Sequence, residues 1–322
     1  MSGKSPKVCC VLKEATIVVH NTFYAIVHDT GGIPRNVALR DYTSLRVGGE
    51  VALWEVNSLE QLRTACAAPY RVIGAGSNLL VADSGVPERV IKLGAAFNSL
   101  AASQWHYRAQ RREALELWIG AATPLPGLIR RAQRAGLSGL EGLLGIPAVL
   151  GGAVAMNAGT RFGEIGDSLL EVELFMDGKL ERLPASALAL RYRQASLPAG
   201  AVLTRAKVRL QPSTPEEVAA RMQRVDEARR GQPKGKSAGC AFKNPAGDSA
   251  GRLIDSFGLK GLRVGQAMVA HEHANFIVNL GGAQAADIYA LLQEVRARVT
   301  PHLLLEWELW GFERSCACTA LP

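Results

Sequence analysis

Three features of the sequence predict an α+β or α/β chain of more than one domain. Short apolar runs rich in β-branched residues alternate with short helical patterns from Val37 onward, and Pro212-Ser213-Thr214-Pro215 punctuates the chain ahead of a helical run. The 322 residues also exceed the roughly 100–200 expected of one domain. In order, strands are expected over Val51–Val56, Arg71–Gly74, Arg89–Leu93 and Leu115–Ile119, with helices around Ser58–Ala68 and Pro124–Gly136. Leu170–Met176 and Leu180–Leu183 form a hairpin about Asp177-Gly178, and Ala201–Leu210 is a further strand. After the proline break come helix Glu216–Arg230, a Gly-rich loop and helix Ser249–Gly258. Strands near Met268 and Phe276, a long helix Ala285–Val299 and a final strand Leu303–Trp310 complete the pattern. Four segments follow from this punctuation: an N-terminal extension 1–35, a body 36–211, a second body 212–313 and a tail 314–322. The extension and tail show no sustained period and read as dispensable.

With 48% hydrophobic and 20% charged residues, the chain is neither disordered nor collagen-like and reads as a soluble globular protein. Its net charge of +8 favours anionic partners. Six cysteines, four of them near the ends, make no disulfide framework and no zinc-finger spacing, so a reducing cytoplasm and no metal are expected. The uncharged stretch Gly142–Thr160 carries five glycines, Pro147 and Asn157, and is read as a turn-rich folded element rather than a bilayer span. Lys13 and Glu14 interrupt the apolar patch Val8–Leu12, so no secretory signal is expected.

Several segments could carry chemistry. In Val72-Ile73-Gly74-Ala75-Gly76-Ser77-Asn78 a strand runs into small residues whose backbone N–H groups could converge on a phosphate. A dinucleotide Rossmann fingerprint is not met, because Leu79 stands where a third glycine belongs and no acidic residue follows at the required distance. Six glycines between Gly139 and Gly159 suit either a flat cofactor bearing a diphosphate or a tightly packed crossover. Between Arg205 and Lys236 nine Lys or Arg stand against four acids, with no aromatic residue to stack on bases, so a small anion fits better than single-stranded nucleic acid. Cys240, in a small-residue turn near cations, is a candidate acid or nucleophile, although a lone cysteine is more often inert packing. Glu306 and Glu308 share one face of the last strand and Trp307 and Leu309 the other, an arrangement that usually places the acids on the wet side of a sheet.

Seven segments stand in one consistent order: Thr43–Gly49, Gly74–Leu80, Gly139–Pro147 with Gly151–Gly159, Tyr192-Arg193, Ala238–Pro245, Ala250–Ile254 and His273–Phe276. Together they resemble the UDP-N-acetylenolpyruvoylglucosamine reductases, flavoenzymes that complete UDP-N-acetylmuramate in bacterial wall synthesis. The likeness runs from Asn36 to Glu313. It implies an FAD-binding domain over 36–211, in two subdomains, of the fold shared with vanillyl-alcohol-oxidase and p-cresol-methylhydroxylase-type flavoenzymes. An α+β substrate domain over 212–313 follows. The non-Rossmann phosphate loop is then expected.

The resemblance further implies that NADPH reduces FAD and leaves, and that a UDP-linked enolpyruvyl sugar then accepts hydride at its vinyl carbon. Arg193 and Glu308 would stabilise the enolate and Cys240, where the family has Ser or Cys, would protonate it. A thiol with a reference pKa of about 8.5 is a stronger acid than an alcohol, and it must rest neutral to donate. FAD contacts are implied for Arg46, Gly74, Ala75, Gly76, Ser77, Asn78, Leu79, Gly145, Ile146, Gly152, Asn157, Ala158 and Gly159. Substrate contacts are implied for Tyr192, Lys243, Asn244, Lys260, His273 and Asn275. The partners are the UDP-sugar and NADPH, with no nucleic acid and no membrane, on a monomer. Two departures stand out: Gly231 precedes Gln232-Pro233 where the family often has Lys, and Ala195 follows Arg193 by two where Ser is common. No extra loop with a stacking Tyr is recognisable between Arg193 and Pro212, which places the chain in the subclass lacking it. A flavin oxidase of the same fold and a non-catalytic nucleotide-binding protein are the alternatives; the latter needs neither Cys240 nor Glu308.

Overall fold

The computed structural model describes residues 34–100 and 113–312. The expected extension lies outside them except for Pro34 and Arg35, and the tail lies wholly outside. Arg35 opens a strand, Arg35–Ala38, that pairs antiparallel with Glu50–Val56. Glu50–Val56 then pairs in parallel with Arg89–Leu93, which pairs in parallel with Tyr70–Ile73, giving a four-stranded mixed sheet. Parallel neighbours need a crossover, and Leu59–Ala65 supplies it as a helix capped by Ser58, whose side chain accepts from the Gln61 N–H. Alternation explains the seating of the sheet: Val51 and Leu53 are buried on one side with Leu39, Ile73 and Val90.

The second sheet is antiparallel, in the order Lys179–Pro184, Leu169–Met176, Val202–Pro212, Leu115–Gly120. Its hairpin turns at Asp177-Gly178 with φ of +47° and +77°, the double left-handed geometry that suits a two-residue loop. Leu115, Leu117 and Ile119 point to the core formed with the helix Leu125–Arg134, and Glu116 and Trp118 point away. On the outer face Glu173, 5% exposed, binds both Arg205 and Arg182, whose guanidinium groups also lie over Trp118.

The glycine-rich stretch folds as expected into a turn-rich element, a single turn at Glu141–Leu143 followed by a short helix, Leu150–Ala155. Close packing accounts for part of its glycine content, since a Cβ on Gly142 would stand 2.6 Å from the Phe162 carbonyl oxygen.

Beyond Pro212 a helix, Pro215–Arg229, begins at a Thr214 cap and leads to the last subdomain. There a three-stranded antiparallel sheet, Arg263–Val264, Ala267–Val269 and Ile277–Asn279, packs against Ala285–Val299, with Ala250–Ser256 alongside. Arg35–Ala38 and Leu79–Val81 go beyond the strands expected from sequence, as do the two-residue strands Leu137–Ser138, Gly159–Thr160, Gly163–Glu164 and Arg263–Val264. The expected final strand Leu303–Trp310 is shorter, with only Glu308–Trp310 laddered, in parallel with Leu79–Val81. The preceding residues spend their backbone bonds elsewhere: Lys243 N–H donates to Leu304 at 2.8 Å and Glu306 N–H donates to Ala241 at 2.8 Å. One hydrogen-bonding partner thus replaces another midway along what would have been a single strand.

Candidate active site

That change of partner draws the last subdomain against the first. Glu308 N–H donates to the Asn78 carbonyl at 3.0 Å, and the Asn78 side-chain amide donates to the Glu306 carbonyl at 3.0 Å. The Gly74–Leu79 turn therefore sits beside the two acids, in a cavity of about 960 Å³ also lined by Ile146, Gly152, Ala158 and Gly159. Arg193, Cys240, Lys243, Asn244 and His273 line the same cavity.

Cys240 is held by a double clamp. Asn275, 2% exposed, accepts from the Phe242 N–H through its side-chain oxygen at 2.9 Å and donates its amide to the Phe242 carbonyl at 2.8 Å. On the other side of the loop runs Leu304–Glu306. Burial pushes the Cys240 thiol up to about 12, and the charge of Glu306 adds to this, while Arg193 and Arg229 pull the other way. The thiol form is therefore the resting one at neutral pH.

Arg193 has φ of +54°, in the left-handed region, and its Nε donates to Glu306 Oε1 at 3.2 Å. A terminal nitrogen donates to the Gly159 carbonyl, and the guanidinium lies 4.9 Å from the Tyr192 ring. Glu308 is exposed, and its Oε2 accepts from the Trp310 indole at 3.2 Å. Both acids line the cavity, Glu306 largely buried and Glu308 exposed.

Of the residues implied by the resemblance, Gly74 to Leu79, Ile146, Gly152, Ala158, Gly159, Arg193, Cys240, Lys243, Asn244, His273 and Glu308 meet at this cavity. The others are placed differently. Asn157 is fully buried with φ of +45°, its amide donating to Glu164 and to the Arg191 carbonyl, so it shapes the loop that presents Gly159 and Arg193. Gly145 lies under Arg229, whose Nη2 donates to its carbonyl at 3.0 Å. Arg46 turns to the Asp41 carbonyl and Lys260 pairs with Asp255 at 2.8 Å, while Tyr192 backs Arg193 and Asn275 clamps the Cys240 loop. Arg229, Glu306 and Trp310 line the cavity without having been assigned a role there from sequence. Spacing could find Glu306, two residues from Glu308; nothing local marks Arg229 within its basic run.

The residues fit an FAD. A Cβ on Gly76 would stand 2.1 Å from the Tyr42 carbonyl oxygen, so only glycine lets this turn close. Among the described residues, the N–H groups of Ala75, Gly76 and Ser77 donate to no protein acceptor, which leaves them for an anion such as a diphosphate. Among the described residues there is no cluster of His, Cys, Asp or Glu able to hold a metal, and no helix long and apolar enough to cross a membrane.

Comparison with known proteins bears on the same regions. A family profile described as FAD binding domain matches residues 55–183, and one described as UDP-N-acetylenolpyruvoylglucosamine reductase, C-terminal domain, matches 232–309. A UDP-N-acetylenolpyruvoylglucosamine reductase of Thermus thermophilus is 55% identical over 274 residues, 85% of this chain and 98% of the relative. The chain belongs to the UDP-N-acetylenolpyruvoylglucosamine reductase family. A Deinococcus radiodurans member is 50% identical over 281 residues, 87% of this chain and 97% of its own length. The crystal structure of the Thermus caldophilus UDP-N-acetylenolpyruvylglucosamine reductase superposes with a TM-score of 0.80 at 54% identity, covering 86% of this chain and 99% of that one. The expected fold class follows: an FAD-binding domain and then an α+β domain typical of the family.

Proposed function

We propose that this chain, over domains 36–211 and 212–313, reduces the enolpyruvyl group of UDP-N-acetylglucosamine-enolpyruvate to UDP-N-acetylmuramate, with FAD as cofactor and NADPH as reductant, in peptidoglycan precursor synthesis. The observation that carries the reading is the meeting of Arg193, Cys240 and Glu308 at one cavity with the Gly74–Leu79 turn. Membership of the family supports it.

Bound FAD would supply the hydride that the vinyl carbon takes up, having received it from NADPH. The Gly74–Leu79 turn is suited to hold the diphosphate on its backbone N–H groups, and Ile146, Gly152, Ala158 and Gly159 to shape the adjoining wall. Hydride addition leaves negative charge on the carboxylate-bearing carbon and its carboxylate, and Arg193 is the cation placed to stabilise it. Glu308, oriented by Trp310, is the second group offered to the enolate at the same cavity. Cys240, held as a thiol, gives its proton to that carbon and ends as a thiolate beside Arg193 and Arg229. Hydride and proton together saturate the double bond. Lys243, Asn244 and His273 are the groups to contact the UDP-sugar from the substrate domain.

The test begins with colour. Purified protein should be yellow, bleach anaerobically with NADPH, and regain colour with the enolpyruvyl substrate but only slowly with oxygen. Fast reoxidation by oxygen and none by substrate would indicate an oxidase instead.

A further inference from the structure

An exposed glutamate gives up side-chain entropy when it is held in one rotamer, so a partner that holds it must itself be fixed. Residues two apart on a strand share a face, which sets Glu308 and Trp310 side by side in Glu308–Trp310, and the indole Nε1 donates to Glu308 Oε2 at 3.2 Å. Trp310 has little freedom. It is 5% exposed, packed with Leu39, Ile73, Leu79 and Val81, and its carbonyl accepts from the Ala82 N–H at 2.9 Å. A cation also lies over its ring: the Arg71 guanidinium stands 5.6 Å from the centroid and pairs with Glu88 at 3.0 Å. Arg71 belongs to Tyr70–Ile73, the strand that runs into the Gly74–Leu79 turn.

We propose that Trp310 and Arg71 are positioning residues that assign the two oxygens of Glu308, the indole claiming Oε2 and leaving Oε1 to a ligand. What Oε1 does for the substrate rests on the reductase reading above; the hold on Glu308 does not. An indole N–H donates and never accepts, so Oε2 must present a lone pair to it. Any proton that Glu308 carries therefore belongs on Oε1, to which no protein group donates among the described residues. The donor is neutral. A lysine or arginine in its place would fix the carboxyl and cancel its charge together, whereas the indole fixes it and leaves the charge in the cavity that both residues line. Arg71 braces the ring and, by drawing on the same π electrons, strengthens its N–H as a donor, while Glu88 keeps that cation in place. One strand thus leads into the glycine turn and steadies the acid beside it.

The contact is read by NMR on flavin-loaded protein with isotope-labelled indoles. The Trp310 N–H, identified as the signal lost in Trp310→Phe, should move upfield in Glu308→Ala and exchange with solvent about tenfold faster or more. The consequence is read in the anaerobic half-reactions. Trp310→Phe keeps a buried ring but removes the donor, so FAD content and reduction by NADPH should stay within about twofold of wild type. Reoxidation by the enolpyruvyl substrate should slow by about tenfold or more. Arg71→Gln keeps a donor for Glu88 and removes the cation; it should slow reoxidation by about threefold alone and add nothing to Trp310→Phe. An indole signal unmoved in Glu308→Ala, full-speed reoxidation in Trp310→Phe, or losses that multiply in the double variant overturn the proposal. If Trp310→Phe does not fold, two results still overturn it: no wild-type indole signal that moves in Glu308→Ala, or full-speed reoxidation in Arg71→Gln. If wild-type flavin is not reoxidised by the substrate, the reductase reading fails, and the indole signal still decides whether Trp310 holds Glu308.

Discussion

At the scale of single residues the account turns on Cys240. Its burial and the nearby Glu306 raise the thiol to about 12, so a fast thiolate-type reaction with iodoacetamide is not expected at neutral pH or below. Cys240→Ser should keep much of the activity, since a hydroxyl can stand in as donor. Cys240→Ala should still let NADPH bleach the flavin but should cut product formation by about 100-fold or more, the usual contribution of a positioned acid. Equal loss of both half-reactions, measured by stopped-flow absorbance, would instead give Cys240 a role in the fold or in cofactor binding. Sequence marked this cysteine through the run Ala238–Pro245. It could not mark the Asn275 clamp, whose partners are 33 residues apart, nor the inward view of Glu306. For Asn157 and Asn275 the motif pointed to positions that matter, but their side chains are spent on the protein's own backbone.

At the scale of elements, hydrophobic periodicity was a sound guide where a strand or helix buries one face locally. Leu115–Gly120, Leu125–Arg134 and Ala285–Val299 each keep such a face, and the Asp177-Gly178 hairpin follows from its turn residues. It failed for Leu79–Val81, three residues long and laddered only with Glu308–Trp310 from the far end of the chain. The outer face of the antiparallel sheet offers a stability test. Arg205 holds the Glu173 carboxyl below its usual range against burial, with help from Arg182 and Thr204. A depressed folded-state value means stability that is present above the unfolded value and is lost as pH falls through the folded one. Glu173→Gln should therefore lower stability at neutral pH by about 1–2 kcal/mol, less than for a fully buried pair because both arginines stay partly in water. It should also flatten the acid limb of the stability curve followed by urea unfolding; an unchanged acid limb would mean the pair is not formed in solution.

The turn at Gly76 carries the proposed contact with the FAD diphosphate. At φ of +61° an added Cβ would stand 2.1 Å from the Tyr42 carbonyl oxygen. Gly76→Ala should open the turn, at a conformational cost of about 1–2 kcal/mol before any clash is counted, and should leave the purified protein with markedly less flavin. Wild-type FAD content in that variant would remove the turn from the cofactor site.

At the scale of the whole molecule, the cavity exists because the chain's end returns to its beginning. Glu308–Trp310 pairs with Leu79–Val81, and the preceding Leu304–Glu306 clamps the Cys240 loop, so one short segment sets the Gly74–Leu79 turn beside Cys240 at one cavity. Contacts separated by 228 residues, as between Asn78 and Glu306, leave no local trace in a sequence, which is why motifs could name the parts and not their distances. The arrangement also makes a demand on stoichiometry: the protein reduced by NADPH and then freed of it should complete one turnover unaided. The most direct measurement is an anaerobic single turnover, mixing reduced protein with one equivalent of the UDP-linked enolpyruvyl sugar. One flavin reoxidised for each UDP-N-acetylmuramate formed, with Cys240→Ala stalled in the reduced state, is the predicted result. Reduced flavin that persists in the wild type, or a preparation that stays colourless after incubation with FAD, would contradict it.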